Sequence, residues 1–153
     1  MKFNFKLERL KDLKENFQDF ARIELGKKIQ ERIKVEEEIK VMNSKIEIIS
    51  RNFKSEIHDS IPIAKLTSLI EYRESLNEKL DNLYLELKKR EIEEEIARND
   101  YIEAKKEKDV LEKLKDKRYE EYKIQEKRLD IKELDEVARN AYHFNGGKKN
   151  GQN

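Results

Sequence analysis

The chain is expected to be all-α, a long two-helix antiparallel coiled-coil hairpin, and three observations support this. Apolar residues recur three and four apart in two runs: Ile39, Met42, Ile46, Ile49, Phe53 and Ile57, then Leu69, Tyr72, Leu76, Leu80, Leu83 and Leu87. Side chains at that spacing share one narrow stripe of an α-helix, which is buried only against another helix. The chain's single proline, Pro62, stands between the runs, so the chain turns once and the stripes meet antiparallel. Composition agrees. With 45% charged and 36% hydrophobic residues and a mean hydropathy of −1.04, there is apolar surface enough for a two-helix seam and too little for a globular core. The expectation is one elongated domain over residues 1–145, followed by a disordered tail over 146–153.

Helix 1 is expected to start near Asn4, a residue suited to N-capping, and to run over about residues 5–57. Its early stripe is Leu10, Leu13, Phe17 and Ala21, continuing through Leu25 and Ile29 into the first run. Gly26 lies inside that helix at a cost of about 1 kcal/mol relative to alanine. The turn occupies His58–Pro62, because the residue before a proline is pushed out of the helical region while proline suits a first helical turn. Asp59 or Ser60 then caps helix 2. Helix 2 is expected over about residues 63–144, closed by Asn145-Gly146-Gly147 through a left-handed glycine. Folding the chain about residue 60 sets Phe5 opposite roughly residue 115, which leaves about 25–30 residues of helix 2 overhanging, on the order of 40 Å. Leucine dominates the helix 2 seam up to Leu87. Farther on, the same positions hold Arg90, Glu94, Ala97, Tyr101, Ala104 and Lys108, which predicts a softer seam there.

Charge and motif content exclude several classes of function. The 35 basic and 34 acidic side chains give a net charge of +1 and alternate closely, which suits i,i+4 pairing and disfavours general nucleic-acid binding. The chain has no cysteine, so no disulfide or thiolate metal site exists, in keeping with a reducing compartment. The N-terminal sequence alternates charge with hydrophobe and no long apolar run occurs, so a cytoplasmic protein is expected. His58 and His143 are the only histidines and read as surface or capping residues. Glu36-Glu37-Glu38 and Glu93-Glu94-Glu95 point around a helix instead of converging on a metal. There is no glycine-rich phosphate loop or nucleophile triad, so neither enzymatic activity nor a cofactor is expected. Tyr119 and Tyr122 read as seam or flank residues, with stacking on a partner as the alternative.

The stretch from Tyr101 to Leu114, followed by Lys117-Arg118-Tyr119-Glu120-Glu121-Tyr122 and by Glu133-Leu134-Asp135-Glu136-Val137-Ala138, resembles the flagellar export protein FliJ family, as does the opening Phe3-Asn4-Phe5-Lys6-Leu7-Glu8-Arg9-Leu10. The Lys-, Gly- and Asn-rich end from Gly146 departs from it. The resemblance implies a two-helix coiled coil similar to the central stalk of rotary ATPases, working in the cytoplasm and peripherally at the cell membrane in the flagellar type III export apparatus. It also implies that the chain inserts into the ring of the export ATPase FliI, engages the cytoplasmic domain of the export gate protein FlhA and escorts export chaperones. By this resemblance Phe3, Phe5, Leu7, Leu10, Leu129, Ile131, Leu134, Val137 and Ala138 face the ATPase. Tyr72, Leu76 and Leu83 match the gate-binding positions, with Lys79 departing from the small residue expected between them. These three also lie on the seam stripe, and Ile70 and Arg73 are the neighbouring-face alternative. The other functional readings are a generic coiled-coil scaffold or homodimeric spacer, and the equivalent stalk protein of a virulence-type secretion system.

Overall fold

The computed structural model describes residues 2–56 and 61–150, with side chains over 2–55 and 61–147. Ile57, His58 and the expected caps Asp59 and Ser60 lie outside the described residues. The described chain is two long helices packed on each other with no strand: α1, Glu8–Glu56, and α2, Ile63–Asn150. Antiparallel pairing shows in the ion pairs. Glu8 meets Lys115 and Lys14 meets Glu107, and elsewhere Lys28 meets Glu93 and Glu31 meets Arg90.

Helix α1 begins at Glu8 instead of near Asn4. Residues 2–5 are irregular because Phe5 turns into the packing, 8% exposed, and the first turn closes through Glu8 N to Phe5 O at 3.1 Å and Lys11 N to Leu7 O at 2.9 Å. Helix α2 starts directly after Pro62, whose carbonyl accepts from Lys65 N at 3.0 Å and Leu66 N at 3.2 Å. Thr67 and Ser68 hydroxyls back-bond to the Ile63 and Ala64 carbonyls. At the far end α2 continues through Gly146 and Gly147 to Asn150, where the sequence suggested a stop after Phe144, and no described glycine has a positive φ. A glycine in an exposed helix costs about 1 kcal/mol and does not by itself compel a left-handed cap.

The packing falls into two compact units, one made of Met1–Lys14 with Lys106–Asn153 and the other of Glu15–Lys105. In the larger unit Val35, Ile39, Leu76 and Ala97 are buried, and Ala21, Leu25, Ile29, Met42, Ile46, Leu69, Leu80, Leu83 and Leu87 are half-buried around them. Two helices enclose a side chain incompletely. Each therefore contributes less than the roughly 1.5–3 kcal/mol of full burial.

Two seam expectations need correction. Tyr72 is 52% exposed while Leu76 is only 3% exposed. Leu69, Leu76, Leu80 and Leu87 fall close to one line, and Tyr72 is about 60° off it at 100° per residue. Leu10, Leu13 and Phe17 are exposed as well, and the half-buried positions of early α1 are Glu8, Lys11, Lys14 and Gln18. The steps Phe17 to Ala21 to Leu25 to Ile29 are all fours, each turning the stripe by about 40°. Phe17 and Ile29 therefore lie about a third of a turn apart and do not share one seam.

Candidate functional site

The unit that holds the N-terminal segment also holds most of the candidate docking residues. Phe3 lies against α2, its ring 5.3 Å from that of Tyr119 edge-on and 5.6 Å from that of Tyr122. Such pairs add about 0.5–1.5 kcal/mol beyond area burial. Lys123 Nζ sits 4.5 Å over the Tyr119 ring. Lys115 Nζ reaches both carboxylate oxygens of Glu8, at 2.9 and 3.1 Å. That hydrogen bond, opposed by desolvation, holds the Glu8 carboxyl below its usual range and the Lys115 ammonium above its own. Desolvation and the neighbouring Glu126 push the Tyr122 phenol up.

Phe3 and Phe5 are thus brought together with Leu114 and Tyr122, with Tyr119 against the Phe3 ring, and Leu7 and Leu10 in the same segment remain exposed. Leu129, Ile131, Leu134, Val137 and Ala138 lie farther along α2 and are all exposed, as is every residue from Lys123 to Gly147. Apolar side chains standing in water on a helix of this kind can close around a partner and have no chemistry of their own. Tyr142 and Phe144, exposed on the same stretch, were not among the sequence candidates. Their spacing from Leu134 and Val137 was the available signal.

In the larger unit the seam carries charge. Arg32 donates to Glu94 across the helices and to Glu36 at 2.8 Å, and Arg98 donates to Glu94 at 3.0 Å. Glu94 is 8% exposed. Its burial alone would raise the carboxyl, but hydrogen bonds from Arg32 and Arg98 outweigh burial and lower it. Arg90 bridges Glu31 at 3.0 Å and Glu93 at 3.2 Å. The three consecutive glutamates at 93–95 diverge: Glu94 into the seam, Glu93 to Arg90 and Lys28, Glu95 to solvent. Of the positions that the family resemblance offers for gate binding, Leu76 is buried, Leu83 half-buried, and Tyr72, Ile70 and Arg73 exposed. Among the described residues no helix is long and apolar enough to cross a membrane.

A family model described as flagellar FliJ protein matches residues 2–147, nearly the whole sequence. The chain belongs to the FliJ family. No curated protein and no solved structure matches it. FliJ membership carries a role related to flagellar export, and that of a non-enzymatic structural or export component.

Proposed function

We propose that this FliJ-family chain is a coupling subunit of the flagellar type III export apparatus, acting in the cytoplasm at the inner face of the membrane by protein docking. The single observation that supports it is the C-terminal stretch of α2, where Leu129, Ile131, Leu134, Val137, Tyr142 and Phe144 are exposed on continuous helix. An unaccompanied helix of this length is marginal in water and gains stability when a partner covers its apolar residues. In this reading the partner is the ring of the export ATPase FliI. Leu129, Ile131, Leu134, Val137 and Ala138 enter the ring, Leu7 and Leu10 contribute from the N-terminal segment, and Phe3 and Phe5 brace that segment against α2. Contact with the FlhA cytoplasmic domain falls to the exposed Tyr72, with Ile70 and Arg73, while Leu76 and Leu83 hold the helices together. Export chaperones are a third class of partner.

The test is the ATPase activity of purified FliI with the full-length chain and with a chain lacking Leu129–Tyr142. Stimulation by the full-length chain alone supports the reading; equal stimulation by both overturns it. Circular dichroism of the truncated chain keeps folding failure distinguishable from loss of docking.

A further inference from the structure

Helix α2 carries a second apolar stripe within the larger unit, on the side away from its seam. Leu85, Ile92 and Ile96 are 66%, 62% and 57% exposed. At 100° per residue they fall within about 20° of one line, and that line is roughly opposite the one through Leu76, Leu87 and Glu94. At one end Ile96 borders Phe20, Ala21 and Glu24 of α1 along a shared groove, and the stripe is otherwise open to solvent. The charges flanking this stripe are arranged in a self-complementary way. Lys88 and Lys89 precede its midpoint and Glu93 and Glu95 follow it. Lys88 and Glu95 lie on one flank, Lys89 and Glu93 on the other. Among the described residues Lys88, Lys89 and Glu95 have no ion-pair partner, whereas Glu93 is held by Arg90 at 3.2 Å and by Lys28 at 3.8 Å.

We propose that this rear stripe binds a second copy of the chain, α2 against α2 and antiparallel, about a two-fold axis beside Glu91 and Ile92. The axis sets Lys88 of each copy against Glu95 of the other and Lys89 against Glu93. Between these flanks Ile92 meets its own copy and Leu85 meets Ile96. A parallel, in-register pairing would instead bring like charges together, Lys88 beside Lys89 and Glu93 beside Glu95, which disfavours it. Two-fold symmetry requires a surface that complements itself, and this one does. Three aliphatic side chains per copy form a small interface, so the pairing is reversible and concentration-dependent. The proposal does not depend on ring insertion, because it uses none of the residues assigned to that contact.

Sedimentation equilibrium of the full chain from low micromolar to near-millimolar concentration tests it, with circular dichroism confirming that each variant stays helical. The wild type should follow a monomer–dimer equilibrium. Ile92→Lys should be monomeric throughout, and Lys88→Glu should dimerise about tenfold more weakly. The double variant Lys88→Glu/Glu95→Lys should return to the wild-type constant. Because the chain has no cysteine, a mixture of Leu85→Cys and Ile96→Cys chains should form mixed disulfides faster than either forms with itself. A wild type that stays monomeric, dimers indifferent to Ile92→Lys, or preferential self-cross-linking of Leu85→Cys would overturn the proposal.

Discussion

Replacing Leu76 and Tyr72 separately by alanine should give very different losses of stability, although the two lie on one sequence stripe. Leucine-to-alanine changes in enclosed cores cost about 2–5 kcal/mol, part of it for the cavity left behind. Leu76 is 3% exposed but is enclosed by only two helices. The vacated space opens to water, and the cavity part falls away. What remains is the transfer of three carbon groups at about 0.8 kcal/mol each, or about 2–2.5 kcal/mol. For a unit the size of Glu15–Lys105 this lowers Tm by about 8–20 °C. Tyr72, at 52% exposure, should cost about 0.5 kcal/mol or less. Urea unfolding followed by circular dichroism, with each midpoint compared at a common slope, measures both. Equal losses, or a Leu76→Ala midpoint unchanged from wild type, would refute the assignment of Leu76 to the seam and Tyr72 to the surface.

Three further outcomes are expected. Gly26→Ala should raise stability by about 0.5–1 kcal/mol, since an added Cβ meets nothing within 4 Å and the site is exposed mid-helix; calorimetry reads this as a higher Tm. Glu94, whose folded-state carboxyl titrates below its ordinary value of 4.5, contributes stability that is present above that value and lost as pH falls through the depressed folded one. Acid titration of Tm should therefore be shallower in Glu94→Gln than in wild type over that acidic range, with neutral-pH stability lower. Phe3→Ala should release the N-terminal segment from Tyr119 and Tyr122, reducing the near-ultraviolet tyrosine signal and speeding amide exchange in early α1, while the Leu76 region keeps its protection.

The helices and their pairing were legible because a three-and-four spacing has one physical meaning and Pro62 one position. From Leu69 to Leu87, and from Ile39 to Phe53, the stripe marks half-buried or buried residues, with Tyr72 as the exception. The phase of early α1 was harder to read. Its run of fours from Phe17 to Ile29 rotates the apolar line off the seam, and a pattern counted residue by residue hides that drift. The seam positions from Arg90 to Lys108 hold polar or small residues, and they include the buried Glu94 and Ala97. A small side chain lets helices approach closely, and a carboxylate clasped by Arg32 and Arg98 can be enclosed where a lone one cannot. The start of α1 escaped the sequence because Asn4 can cap locally, whereas the tertiary burial of Phe5 sets the boundary.

The clasp between Arg32 and Glu94 also constrains how this sequence can drift over generations. A sign reversal at either site strands like charges in an enclosed place, and reversing both still sets position 94 against Arg98 and position 32 against Glu36. Alignments of related chains should therefore show these four columns changing as a group, while the solvent-facing columns beside them vary independently.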